Sequence, residues 1–141
     1  MLHYKKFVAG FDQSSVDLAR YHLTEAGFQT ETFRTPEIAE LSKLLETTYL
    51  GILVAWAQEV ERFAARFNAK FEEINAFIKE VPFLPCDIFP GIIGGHCVMP
   101  NIAILQSQFK SEFLDAIQTS NESKKALTDQ KPEAQEALFA P

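Results

Sequence analysis

The stretch Thr35–Phe67, TPEIAELSKLLETTYLGILVAWAQEVERFAARF, decides the fold of this chain. It opens like a helix start. Thr35 has a hydroxyl that can cap, Pro36 fits the first turn, and Glu37 suits the positive end of the helix dipole. Ile38, Leu41, Leu45, Ile52, Trp56, Val60, Phe63 and Phe67 then keep helical spacing. A helix from Glu37 to Phe67 would run about 45 Å, longer than a small domain needs. Leu44, Tyr49, Leu53 and Val54 fall off the main stripe, so apolar groups wrap much of the surface. An ordinary core helix would leave that surplus in water, and the pattern predicts packing against a second copy.

Upstream, the residues read as a short β-α-β unit. Phe7-Val8-Ala9-Gly10 is a compact apolar run suited to a buried strand. Asp12, Ser14 or Ser15 can cap a helix in which Val16, Ala19, Leu23 and Ala26 recur. Gly27 stands where a helix end favours left-handed backbone, and Phe28 to Phe33 suits a second strand. Downstream, Asn68 is a candidate terminator, and Phe71 to Val81 forms another amphipathic set stopped by Pro82. Between Pro82 and Pro100 the chain is rich in proline and glycine yet apolar, the texture of a loop held against something and able to build a site. Helical periodicity returns from Ile102 to Ile117. From Thr119 the chain turns polar and predicts a flexible tail. The expected architecture is mainly α with a short N-terminal β-α-β unit: residues 1–35 as that unit, 36–118 as a helical domain, and 119–141 as tail.

Composition narrows the function. The chain has 141 residues, 47% hydrophobic and 23% charged, enough for one packed domain. Thirteen Lys and Arg against 19 Asp and Glu give a net charge of -6, which argues against nucleic acid as a partner. No apolar run approaches the roughly 20 residues of a membrane span. Six glycines form neither G-x-G-x-x-G nor a phosphate-cradling P-loop, so no cofactor site for a dinucleotide is expected in this chain alone. The two cysteines, Cys86 and Cys97, make no metal-ligand spacing with the three histidines, and the expectation is no metal and a reduced, cytoplasmic chain.

Two segments together carry a resemblance. Ala39-Glu40-Leu41-Ser42-Lys43-Leu44-Leu45-Glu46-Thr47-Thr48-Tyr49 resembles the helix A-E-L-A-K-L-L-E-N-T-Y of the UDP-glucose/GDP-mannose dehydrogenase superfamily. Pro90-Gly91-Ile92-Ile93-Gly94-Gly95-His96-Cys97 resembles its loop P-G-V-G-G-H-C, in the version typical of the UDP-N-acetyl-hexosamine dehydrogenase branch. The resemblance implies the central domain of a nucleotide-sugar dehydrogenase, preceded by the last strand-helix-strand of an NAD-binding domain. It implies that the long helix forms a homodimer, and that a Rossmann-domain partner would have to supply NAD. It implies a UDP-sugar ligand and an oxidation from alcohol to acid through a cysteine-bound thioester. By position Cys97 matches the nucleophile and Lys43 the lysine that supplies positive charge, with Gly94, Gly95, His96 and Gln58 as substrate-binding candidates.

The departures are as specific. The family's asparagine four residues after the lysine is Thr47. The asparagine of its N-E pair is Gln58, with Glu59 kept, and its aspartate four residues after the cysteine is Asn101. An amide cannot serve as a general base as a carboxylate can. Bland readings stand beside the functional ones. Cys97 would be a small packed hydrophobe, Lys43 a solvated helix residue, His96 a structural loop residue, and Trp56 with Phe63 and Phe67 core or interface. Three functions follow: a truncated dehydrogenase-like domain inactive alone, a split subunit active with a Rossmann partner, or a non-catalytic dimeric module.

Overall fold

A computed structural model describes residues 4–85 and 87–129. Cys86 and residues 130–141, most of the expected tail, lie outside the described residues. Among the described residues five helices and two short strands appear, so the fold is mainly α with an N-terminal β-α-β unit, as the sequence predicts. The chain divides into two compact units, one ending at Glu46 and the other beginning at Thr47, with the long helix running through the division.

The first unit pairs β1 (Lys6–Val8) with β2 (Thr30–Thr32) in parallel, Phe7 opposite Glu31, with α1 (Gln13–Glu25) as the crossover that parallel pairing requires. Asp12 caps α1, taking the Ser15 N–H at 2.8 Å and the Ser14 hydroxyl at 2.7 Å. Those bonds, the Ser14 hydroxyl foremost, hold the Asp12 carboxyl below its ordinary value. Gly27, at φ 83°, ends α1 in the left-handed region, and the following Phe28 N–H returns to the Leu23 carbonyl at 2.9 Å. Phe7 stacks on Phe33 at 4.8 Å, yet α1 buries no residue and Val8 is the buried strand residue.

The second unit is helical: the greater part of α2 (Pro36–Arg66), then α3 (Phe71–Lys79), α4 (Val98–Gln108) and α5 (Glu112–Asp129). Asn68, at φ 54°, ends the long helix as expected, in a conformation asparagine tolerates better than most residues. Towards its own core α2 turns small residues, Gly51, Ala55, Ala57 and Ala64, together with Val60. Gly51 is where α2, α4 and α5 converge. A Cβ there would meet the Val98 side chain at 2.8 Å and Ile117 at 3.4 Å. The large residues face outward. Tyr49, Trp56 and Phe63 recur every seventh residue and are all exposed, Trp56 by 57%. Their side chains therefore lie outside the core.

Two boundaries differ from the sequence reading. The run from Ile102 to Ile117 is two helices, because Phe109 leaves the helix at φ -131° and ψ 134°, and the Ser111 carbonyl starts the next one. The expected tail from Thr119 is helix as far as Asp129. Its inward positions are Ser120 and Asn121, polar residues that continue the buried spacing of Leu114 and Ile117. Lys124 adds an ion pair to Glu61 of α2. Polar residues in buried helical positions read as surface when seen in sequence, which is why the helix looked finished.

Candidate active site

The loop from Val81 to Cys97 runs between α3 and α4 and packs through a few apolar residues. Ile88 packs on the cluster of Ala57, Val60 and Phe71, Phe89 lies 6.4 Å from the Phe71 ring, and Ile93 is buried. Its polar backbone is held by side chains from two helices. Gln58 of α2 is 0% exposed, and its Nε2 donates to the Gly91 carbonyl at 2.7 Å. Asn121 of α5 is 1% exposed and clamps Ile93 twice, accepting from the Ile93 N–H at 2.7 Å and donating to the Ile93 carbonyl at 2.9 Å. Ser120 joins the two anchors, donating to Gln58 Oε1 at 2.8 Å, and in turn accepts from Arg62 at 2.8 Å. Arg62 also pairs with Glu59. Every polar end of the two buried amides is engaged, as burial demands.

Beyond Ile93 the chain comes free of packing. Gly94 and Gly95 are exposed, Gly95 at φ 79°, and nothing lies within 4 Å of where either Cβ would be. His96 and Cys97 are exposed too. Cys97 is therefore not a packed hydrophobe. It is the residue before α4, and its carbonyl accepts the Asn101 N–H at 3.2 Å while its thiol makes no capping bond. One turn into α4, Asn101 Nδ2 donates to Thr47 Oγ1 at 2.8 Å, and Thr47 is buried. Two of the three positions that depart from the family pattern are thus partners of each other. Lys43, in the first unit, is 70% exposed and pairs with Glu46 at 2.7 Å. Gln58, a substrate-binding candidate in the sequence, is wholly buried, and both ends of its amide are engaged within the protein.

Residues 37–123 match the UDP-glucose/GDP-mannose dehydrogenase family, central domain. This chain belongs to that family. The match takes in the helix with Lys43, the loop with Cys97 and both anchoring residues, and it ends just past Asn121. Among solved structures, the chain is similar to the UDP-N-acetyl-mannosamine dehydrogenase Cap5O from S. aureus, with a TM-score of 0.69 and 22% identity. That likeness covers 90% of this chain and 31% of the Cap5O chain, so the chain spans about a third of its length. At that identity the likeness speaks for the fold. No curated protein matches. The family's central domain therefore accounts for the long helix and its loop, and the β-α-β unit, ending at Thr32, precedes the matched residues.

Sequence reasoning missed Ser120 and Asn121 as anchors of this loop. The signal was present: Leu114, Ile117 and Asn121 keep three- and four-residue spacing, and an amide at the third position of such a stripe calls for a buried partner. Among the described residues no three His, Cys, Asp or Glu side chains gather to hold a metal, and no helix is long and apolar enough to cross a membrane.

Proposed function

We propose that this chain is the dimeric, nucleophile-bearing central domain of a nucleotide-sugar dehydrogenase, of the branch acting on UDP-N-acetyl-hexosamines. The observation that carries the reading is the loop: fixed at Gly91 and Ile93 by buried amides, it then presents Cys97 in the open at the start of α4. A thiol held on a rigid support and open to solvent suits nucleophilic addition to a carbonyl, which forms a carbon–sulfur bond as a proton passes to the oxygen. Unhindered glycines beside it leave room for a bulky sugar to approach. Lys43 enters the reading through the resemblance alone, as a cation for the developing oxyanion.

The first unit does not fit the dinucleotide that the family implies. The turn between β1 and α1 carries one glycine, and the Asp12 carboxylate already takes the Ser15 N–H at the helix start. A pyrophosphate there would meet a negative charge where it needs donors. The hydride acceptor therefore has to be held outside these residues, and the 141-residue chain performs no oxidation on its own.

The alkylation rate of Cys97 tests the reading. Iodoacetamide should modify Cys97 in the native protein faster than the same thiol in urea, and Lys43→Met should slow the native reaction. A native rate at or below the unfolded rate overturns the nucleophile. One observation favours a second reading, a dimeric module without chemistry: Thr47 and Asn101 make a neutral pair where the family pattern has a carboxylate. Under that reading Lys43→Met changes nothing.

A further inference from the structure

We propose that Asn121 is a positioning residue for Cys97: from α5 it fixes the loop at Ile93, and this fixing sets how the thiol reacts. The inference rests on the reading of Cys97 as a nucleophile. Asn121 does not touch the thiol. Its carboxamide presents an acceptor and a donor side by side, and the Ile93 backbone presents the complementary donor and acceptor, at 2.7 and 2.9 Å. The pairing copies one rung of a β-ladder with a side chain in place of the second strand.

Both partners are buried, so neither can turn to water if the other is removed. The register between α5 and the loop is therefore strongly specified at this residue. Nothing comparable holds the residues that follow, since Gly94 and Gly95 lie in open space and Gly95 takes a backbone conformation other residues avoid. Cys97 is thus placed from two sides only. On one side is the tether at Ile93. On the other is Val98, buried where α4 meets Gly51. Ser120, next to Asn121, secures Gln58 and through it the earlier hold at Gly91. Two adjacent α5 residues thus serve both anchors of one loop.

The test uses the full chain and three substitutions. Asn121→Leu keeps the volume and removes both hydrogen bonds. Asn121→Asp keeps an acceptor for the Ile93 N–H and removes the donor, and it serves if the leucine variant does not fold. Leu114→Val removes a buried methylene from the same helix, away from the Gly51 junction. Two quantities are read on folded protein: hydrogen exchange at the Ile93 amide, and the alkylation rate of Cys97 relative to the unfolded chain. Asn121→Leu should speed Ile93 exchange by about tenfold or more, the effect of losing a buried bond of this kind. It should slow Cys97 by about fivefold, because only the fixed loop keeps the sulfur at the helix start, whose positive end attracts an anionic nucleophile. Asn121→Asp should fall between it and the wild type, and Leu114→Val should match the wild type in both. Wild-type rates in either Asn121 variant overturn the tether and leave the nucleophile reading intact. A loss in Leu114→Val equal to that in Asn121→Leu also overturns it, since general loosening would then explain both. A wild-type Cys97 no faster than the unfolded thiol overturns the nucleophile reading, and with it this role for Asn121.

Discussion

Thr47 and Asn101 show how a departure from a family pattern can be accommodated. The hydroxyl accepts from the amide at 2.8 Å, with Thr47 buried and Asn101 half-buried. Thr47→Val should cost about 1–2 kcal/mol in urea denaturation, because it leaves the amide without this partner. Adding Asn101→Leu should recover part of that loss, and strictly additive costs would contradict the pairing. Asp12 gives a second residue-scale expectation. Its carboxyl lies below the ordinary value, so the cap's contribution is present above the unfolded value and lost as pH falls through the lower folded one. The Ser15 amide resonance should titrate with a midpoint below 3.8. A midpoint at or above 3.8 would contradict the cap, and Asp12→Asn should abolish the titration while keeping the helix start. Local chemistry made these caps legible in sequence: Asp12, Thr35, Gly27 and Asn68 each act on neighbours a few residues away. Asn121 was not legible because its partner is 28 residues distant and its polarity reads as surface.

At the scale of elements, α2 was the most legible and α5 the least. A long apolar period with a capped start identifies a helix whatever it packs against. Which face turns inward was not given by size, since Gly51 and the alanines are buried while Tyr49, Trp56 and Phe63 are exposed. Small residues let α4 and α5 approach α2 closely, and the close approach can be tested at Gly51. Alanine there gains about 1 kcal/mol in helix propensity over glycine. It also places a Cβ 2.8 Å from Val98, a buried branched side chain that cannot swing aside. Overpacking of that kind costs about 1–3 kcal/mol and outweighs the gain. Gly51→Ala should lower the urea midpoint, and a raised midpoint would mean that the helices can part without cost. For α5, the helix through Ser120 and Asn121 replaces half of the expected tail, because the buried polar pair and Lys124 tie it to the rest of its unit.

At the scale of the molecule, the two units differ in how far they sustain themselves. The second has a core drawn from four helices and the buried part of the loop. The first has two three-residue strands and a helix that buries nothing. Two strands are marginal without a further layer. Because Asp12 occupies the helix start, calorimetric titration of the chain with NAD should show no saturable binding. Tight binding would mean that the β1–α1 turn accepts a pyrophosphate after all.

The proposed function has α2 shared by two copies, with Tyr49, Trp56 and Phe63 on the shared face. Sedimentation of the purified chain at micromolar concentration tests it most directly. The expected species has twice 15.9 kDa, and Trp56→Glu should convert it to a folded monomer. A wild-type chain that sediments cleanly as a 15.9 kDa monomer would contradict it.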